Sequence, residues 1–299
     1  MQAWRGQALR ASVSIDRIQH KKRDVHDGFL NVRRGGDAVM NNWVHDLPIV
    51  WLSLVVFGFT YLIAAGILVL VRALAKGERK LAFKAFSPGM LSPLGIVFGL
   101  FVAFTAAQVW SDNDRANTAV DREASALRTV VVLAATFPGE TESRLRALVR
   151  RHIEQAATQE WPTMAQGTAT LRFAPPSLVE ALQLTLSLTP SSEGQKNALG
   201  GIATALETAF DARRQRIIIS QSQVSPVKWL CLFAQAAVAL FATALVHHDN
   251  RLTSAIAMGL FATGVATSVL LIASHDRPFS GEISVGPGPL LQVLPGTKT

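Results

Sequence analysis

LSPLGIVFGLFVAFTAAQVW, residues 91–110, carries no charged side chain, and the polar run SDNDRANTAVDREASALR follows at once at 111–128. A bilayer core of about 30 Å is crossed by roughly 20 apolar residues of helix. Backbone in lipid must satisfy its own hydrogen bonds, so the first run reads as a transmembrane helix and the second as its extension into water. Three further uncharged stretches, 47–71, 229–246 and 252–274, meet the same length requirement. They stand two and two around a polar middle. The expected fold is all-α: a polytopic membrane protein with four transmembrane helices in a two-plus-two arrangement. A helical extramembrane region, 111–226, lies between the second and third spans, and a tail, 275–299, follows the fourth.

Composition agrees. Apolar residues make up 49% of the chain and charged ones 17%, against about 25% charged in soluble domains. The lone Cys231 lies in the third span, which leaves no intrachain disulfide and no reading of the redox compartment. The net charge of +8 is scattered without interleaved aromatics, which disfavours nucleic acid and fits an anionic leaflet or topology control. The leading segment is too polar to hold the apolar core of a secretory signal. Residues 1–39 lack any sustained period, so we expect them to be disordered or to precede a natural start at Met40, the alternative being a basic arm that binds anionic lipid. Residues 40–299 then form a single unit.

The middle region reads as helices. Ala116, Val120, Ala124, Leu127 and Val131 form one stripe that Pro138-Gly139 stops. The next helix opens with Glu140 and Glu142, as the helix dipole favours. It buries Leu145, Leu148, Val149, Ile153 and Ala156, faces Arg144, Arg146, Arg150 and Arg151 outward, and ends at Trp161-Pro162. A short helix follows Pro175-Pro176, and a long one runs over about 192–222. Gly95 and Gly99 allow close helix approach, and Ala255, Gly259, Thr263 and Thr267 form a small-residue stripe expected to pack within the bundle. Adjacent His247, His248 and Asp249 on a tight loop do not converge on one ion, and no metal or cofactor is expected.

Several motifs resemble a bacterial bestrophin-like membrane family. They are Asp114-Arg115-Ala116 with Val120, Glu123-Ala124 and Leu127; Glu160-Trp161; Ala212-Arg213-Arg214-Gln215-Arg216; Pro226 with Trp229; and Asp276-Arg277-Pro278-Phe279-Ser280-Gly281-Glu282. The resemblance covers roughly residue 40 to the C-terminus and extends more distantly to bestrophins, which are pentameric anion channels with the same two-plus-two helices. It implies a homo-oligomer, a pentamer if bestrophin-like, in which the second span lines a pore for small anions. Asp114, Arg115, Glu123, Trp161, Arg213, Arg214, Arg216, Asp276, Arg277, Pro278, Phe279 and Gly281 are then motif residues of structural role. The acidic run that binds calcium in animal bestrophins is missing after Glu282, so calcium gating is not implied.

Phe98, Phe101 and Phe104, with Thr105 and Gln108, are the candidate pore lining, since an apolar ring gates by dewetting. Packing against core or lipid is the competing role for such phenylalanines. The charges Asp114, Arg115, Asp121, Arg122, Glu123 and Arg128 are expected to form salt bridges within the bundle, with Asp114 and Arg115 paired to Arg213 or Asp211, rather than an anion vestibule. His152 reads as a satisfied buried or boundary histidine, and Asp276-Arg277 as a turn that ties the tail back to the middle region. No charge lies inside the four stretches, which disfavours a proton-coupled transporter. HExxH, P-loop, GxSxG and GxGxxG patterns are absent from the sequence, so no enzyme is indicated. The basic loop Arg72, Lys76, Arg79, Lys80 and Lys84 argues for one orientation, while the resemblance puts the middle region and both termini in the cytoplasm at the inner membrane. We adopt the second. The function expected is an oligomeric anion channel; the alternative is a non-conducting membrane scaffold or sensor whose helical region binds a protein.

Overall fold

The computed structural model describes residues 48–74, 88–247 and 250–294, all within one compact unit, His45–Thr299. The expectations for residues 1–39, for Lys76, Arg79, Lys80 and Lys84, and for His248 and Asp249 fall outside these residues. Every element described is helical. Helix α1 spans Ile49–Leu74. A 3-10 turn, Pro88–Met90, leads into α2, Leu91–Ala134, which runs unbroken for 44 residues. Helices α3 (Glu140–Gln155), α4 (Trp161–Ala165), α5 (Pro176–Ser187) and α6 (Glu193–Ser220) form the middle region. Helices α7 (Pro226–Val246) and α8 (Arg251–His275) return through the bilayer, and a short α9 (Gly288–Leu291) closes the tail. Helices α1, α2, α7 and α8 are each long and apolar enough to cross a membrane.

Helix α2 joins the two halves of the molecule. At 1.5 Å per residue it is roughly 66 Å long, about twice the apolar thickness of a bilayer. Its extension packs antiparallel to α6: Glu123 meets Arg216, while a Cβ on Gly201 would come within 2.7 Å of Leu133 Cδ1. The extramembrane core gathers Val120, Leu127, Leu145, Ile153, Leu178, Ile202 and Leu206, with Phe279 and Leu290 supplied by the tail. Burying each such side chain contributes about 1.5–3 kcal/mol. Within the bilayer, α2 packs Phe98 and Val109 against Leu232, Val265 and Ile272, and α1 packs Ala64 and Val71 against Leu240 and Met258.

Several expectations need correction. Trp161-Pro162 does not end the third helix. A π turn, Ala156–Glu160, closed by Trp161 N–H donating to Ala156 O, lets the chain pass into α4. Pro162 then sits in the first turn of a new segment, where its missing N–H costs nothing. Gly95 and Gly99 approach no neighbour, since an added Cβ would meet nothing within 4 Å. The stripe at Ala255, Thr263 and Thr267 is exposed, although the Thr263 and Tyr61 hydroxyls meet at 2.7 Å. Helix α8 instead buries a neighbouring face of mixed size, Ser254, Met258, Ala262, Val265, Ala266, Val269 and Ile272. The third span begins three residues earlier than its uncharged stretch and so contains Lys228 in its first turn.

The tail is held by specific bonds. Asp276 Oδ1 accepts from Val224 N at 2.6 Å, and Arg277 Nη2 donates to Gln223 Oε1 at 3.2 Å. Pro278-Phe279-Ser280-Gly281 then turns with Gly281 at φ +87°, a value L side chains avoid. The Phe279 ring stands edge-on to Trp161 at 6.0 Å, and Trp161 Nε1 donates to Val285 O at 2.9 Å. Glu282 Oε2 accepts from Ile49 N at 3.0 Å, so the tail also touches the start of α1. Trp161→Phe keeps the ring contact but strands the buried Val285 carbonyl. It is expected to cost about 1–3 kcal/mol, read as a lowered melting temperature in detergent.

Candidate functional site

Helix α2 carries both groups of candidate residues, and the structure sorts them by face. Phe98 is 8% exposed and lies 6.0 Å from the Phe261 ring, and Thr105 is buried with its hydroxyl donating to Phe101 O. Both point into the chain's own interior. Phe104 is 74% exposed, and Phe101 and Gln108 are half-buried. A helix turns about 100° per residue, so phenylalanines three apart drift from the core at Phe98 to the surface at Phe104. The candidate lining therefore splits: Phe98 and Thr105 belong to the packed interior of one chain and leave the set.

The remaining three lie on a longer line. Val97, Phe101, Phe104, Gln108, Ser111, Arg115, Thr118 and Arg122 follow one another at alternating spacings of four and three residues. That spacing keeps side chains on one edge of a helix, and every member is exposed or half-buried. The line is apolar through Phe104, polar from Gln108, and basic at Arg115 and Arg122. Asp114 and Asp121 stand one residue back, about 100° around the helix. The expected pairing of Asp114 and Arg115 with Arg213 or Asp211 does not occur. Asp114 is exposed, and Arg115 meets Asp112 one turn away at 3.8 Å. Asp121, Arg122 and Arg128 are exposed or lie at the surface edge, so of the cluster Glu123 alone turns fully inward.

Behind this line lies a buried charge cluster. Glu123, from α2, and Arg216, from α6, are both 0% exposed, with Arg216 Nε 2.8 Å from Glu123 Oε2 and Nη2 3.2 Å from Oε1. His152 of α3, 1% exposed, places Nε2 2.8 Å from Glu123 Oε1. Arg216 Nη2 also donates to Glu160 Oε2 at 2.8 Å, and Nη1 faces Met164 Sδ at 3.4 Å. Arg213 contacts Glu160 Oε1 at 2.6 Å. The Trp161 ring lies 4.4 Å from the Arg216 guanidinium carbon, a cation–π contact. Two carboxylates thus face two guanidiniums, and both the π turn and the helices on either side deliver the partners. Arg214, between the two inward arginines, is exposed.

These groups lie outside the bilayer: Glu123 is roughly 20 Å along the axis beyond Trp110. Burial opposes its ionisation, but Arg216, with His152, outweighs burial and holds its carboxyl below the ordinary range. Glu160 is lowered in the same way, burial being overcome by Arg216 and Arg213. At Asp276, burial wins over the Val224 N–H and the carboxyl is pushed up. His152 in the Glu123 pocket was legible as a buried histidine, but its partner was not. The inward turn of Glu123 was signalled only by its place among Val120, Ala124 and Leu127 on the core stripe.

A family model described as the Bestrophin-like domain matches residues 58–290. The chain belongs to the bestrophin-like family. A substituted form of a bacterial bestrophin homologue from Klebsiella pneumoniae superposes over 80% of this chain and 96% of its own, with a TM-score of 0.63 at 12% identity. Another crystal structure of a bestrophin homologue from that organism covers 79% and 94%, with a TM-score of 0.60 at 13% identity. The crystal structure of a membrane protein carrying a single substitution covers 80% and 98%, with a TM-score of 0.63 at 14% identity. At such identities the likeness is one of fold. A comparison with curated proteins gives no match. This bestrophin-like chain is thus a multi-pass membrane protein with the fold of those homologues.

Removing one partner from a buried pair leaves an uncompensated charge, at a cost of about 3–5 kcal/mol. Glu123→Leu and Arg216→Leu are each expected to lose that much, while the double substitution loses far less than their sum, as a double-mutant cycle of melting curves reads out. Both carboxyls of the cluster have folded-state pKa values below their unfolded ones. Their stabilisation is complete above the ordinary carboxylate range and is lost as pH falls through the lowered folded values. Acid unfolding should therefore show a steep loss below that range, and Glu160→Gln should flatten it.

Proposed function

We propose that this protein is a homo-oligomeric, fivefold anion channel whose axis is lined by the Val97–Phe101–Phe104–Gln108 edge of α2, continued by Arg115 and Arg122. The observation that carries the reading is that one edge of a helix twice as long as the bilayer keeps a line of exposed or half-buried residues from Val97 to Arg122, with Phe101 partly packed against the core and Gln108 bonded to Lys228. That line passes from apolar to basic where the helix leaves the lipid. In a ring of five, Phe101 and Phe104 form the apolar constriction and the arginines an electropositive vestibule. Asp114 and Asp121, around the helix, point away from the axis. The bestrophin-like fold and the pentameric anion channels that share its two-plus-two helices support the same assembly. The vestibule lies on the cytoplasmic side, with the extramembrane helices and the tail, in the inner membrane. The motif residues Glu123, Trp161, Arg213, Arg216, Asp276, Arg277, Pro278, Phe279 and Gly281 hold α2 and the tail in place rather than touch the permeant ion.

Native mass spectrometry in detergent is expected to give five chains, and proteoliposomes to release chloride. Phe104→Ala should change chloride flux several-fold while leaving the melting temperature near that of the wild type. Phe98→Ala should instead destabilise by about 3–5 kcal/mol, as for any buried phenylalanine. A stable monomer or dimer without flux would overturn the channel and favour a scaffold.

A further inference from the structure

Lys228 stands against electrostatic preference. It lies in the first turn of α7, the positive end of the helix dipole, where anionic side chains are favoured and no acidic residue is present. Its side chain is half-buried, and its ammonium donates to a neutral group, Gln108 Oε1 of α2. None of the ion pairs among the described residues includes Lys228. Lysines near helix ends ordinarily extend to the lipid headgroups and keep their charge in water. This one turns sideways onto α2 instead. The charge therefore remains uncancelled inside the protein, beside the residue where the exposed edge of α2 changes from apolar to polar. The nearest acidic groups on the elements packed there are accounted for: Asp112 faces Arg115, and Asp276 accepts from Val224 N.

We infer that Lys228, positioned by Gln108, is the residue that selects for anions where an ion passes between the Phe104 constriction and the vestibule. The inference rests on the channel reading above and names the group that sets its ion selectivity. A partly dehydrated anion leaving the apolar stretch meets a fixed positive charge reinforced by the α7 N-terminus, and a cation meets the same charge as a barrier. Arg115 and Arg122, further along the line, are exposed to water, where salt screens them.

The test uses full-length protein in planar bilayers under a potassium chloride gradient, with the chloride-to-potassium permeability ratio read from the reversal potential. Lys228→Met is expected to lower the ratio about tenfold, the equivalent of roughly 1.4 kcal/mol, and Lys228→Arg to retain it. Lys228→Cys, made in a Cys231→Ser background, gives a second reading within one membrane. Aminoethyl methanethiosulfonate should restore the ratio by returning a positive charge, and the sulfonatoethyl reagent should depress it further. A conducting Lys228→Met protein with the wild-type ratio, or a thiol introduced at this position that neither reagent reaches from water, overturns the assignment and leaves the channel standing. A wild-type protein that carries no current removes the channel itself, and this inference with it.

Discussion

The buried pairing of Glu123 with Arg216 is the constraint around which the extramembrane half is arranged. A carboxylate and a guanidinium that are both wholly inaccessible to water survive only if their remaining lone pairs and protons find partners. That requirement recruits the rest of the region. His152 brings α3 to the free side of Glu123, Glu160 and Arg213 complete the other side of Arg216, and Trp161 covers the guanidinium face. Trp161 in turn fixes Val285 and Phe279, so the C-terminal tail is ordered by the same charge pair. The π turn has its reason here. Its extra residue shifts the phase of the chain between α3 and α4, and after it Glu160 contacts both arginines while Trp161 and Met164 are buried.

Much of this was legible in the sequence, and the unread part has physical causes. Four uncharged stretches locate the starts of four long apolar helices to within three residues, because lipid tolerates no other backbone and charge is the dominant cost of insertion. The stripe Ala116, Val120, Ala124, Leu127 marks the buried edge of α2 for the same reason that any amphipathic helix does. Charges were another matter. Asp114, Arg115, Glu123 and Arg213 look alike in a sequence, and periodicity alone does not say that Glu123 turns inward to Arg216 while Arg115 turns out. Pro162 misled for a related reason: a proline breaks regular α-helix, but a π turn ahead of it removes the clash and supplies a fresh first turn. Phe98, Phe101 and Phe104 were expected together as pore lining, but three-residue steps drift far enough to carry a helix edge from the core at Phe98 to the surface at Phe104.

The two faces of α2 treat charge oppositely, and this separation links packing to function. Inside, the guanidiniums of Arg213 and Arg216 have their carboxylates. Outside, along the edge that runs from Val97 to Arg122, the cations are arranged in series and their acidic neighbours stand on a different edge. Had Glu123 stayed on the outer line, it would have placed a carboxylate beside Arg122 and weakened the positive potential there. Its burial spends the negative charge on structure. The same helix that is clamped by a buried cluster of ion pairs on one side therefore presents Arg122 and the surface pair Arg115–Asp112 on the other. Because α2 is one unbroken helix from Leu91 to Ala134, the clamped residue Glu123 and the Phe104–Gln108 level belong to the same element. In the channel proposed above, the helix shared by both regions makes the buried pair a structural requirement for the pore edge without any contact between the pair and the ion.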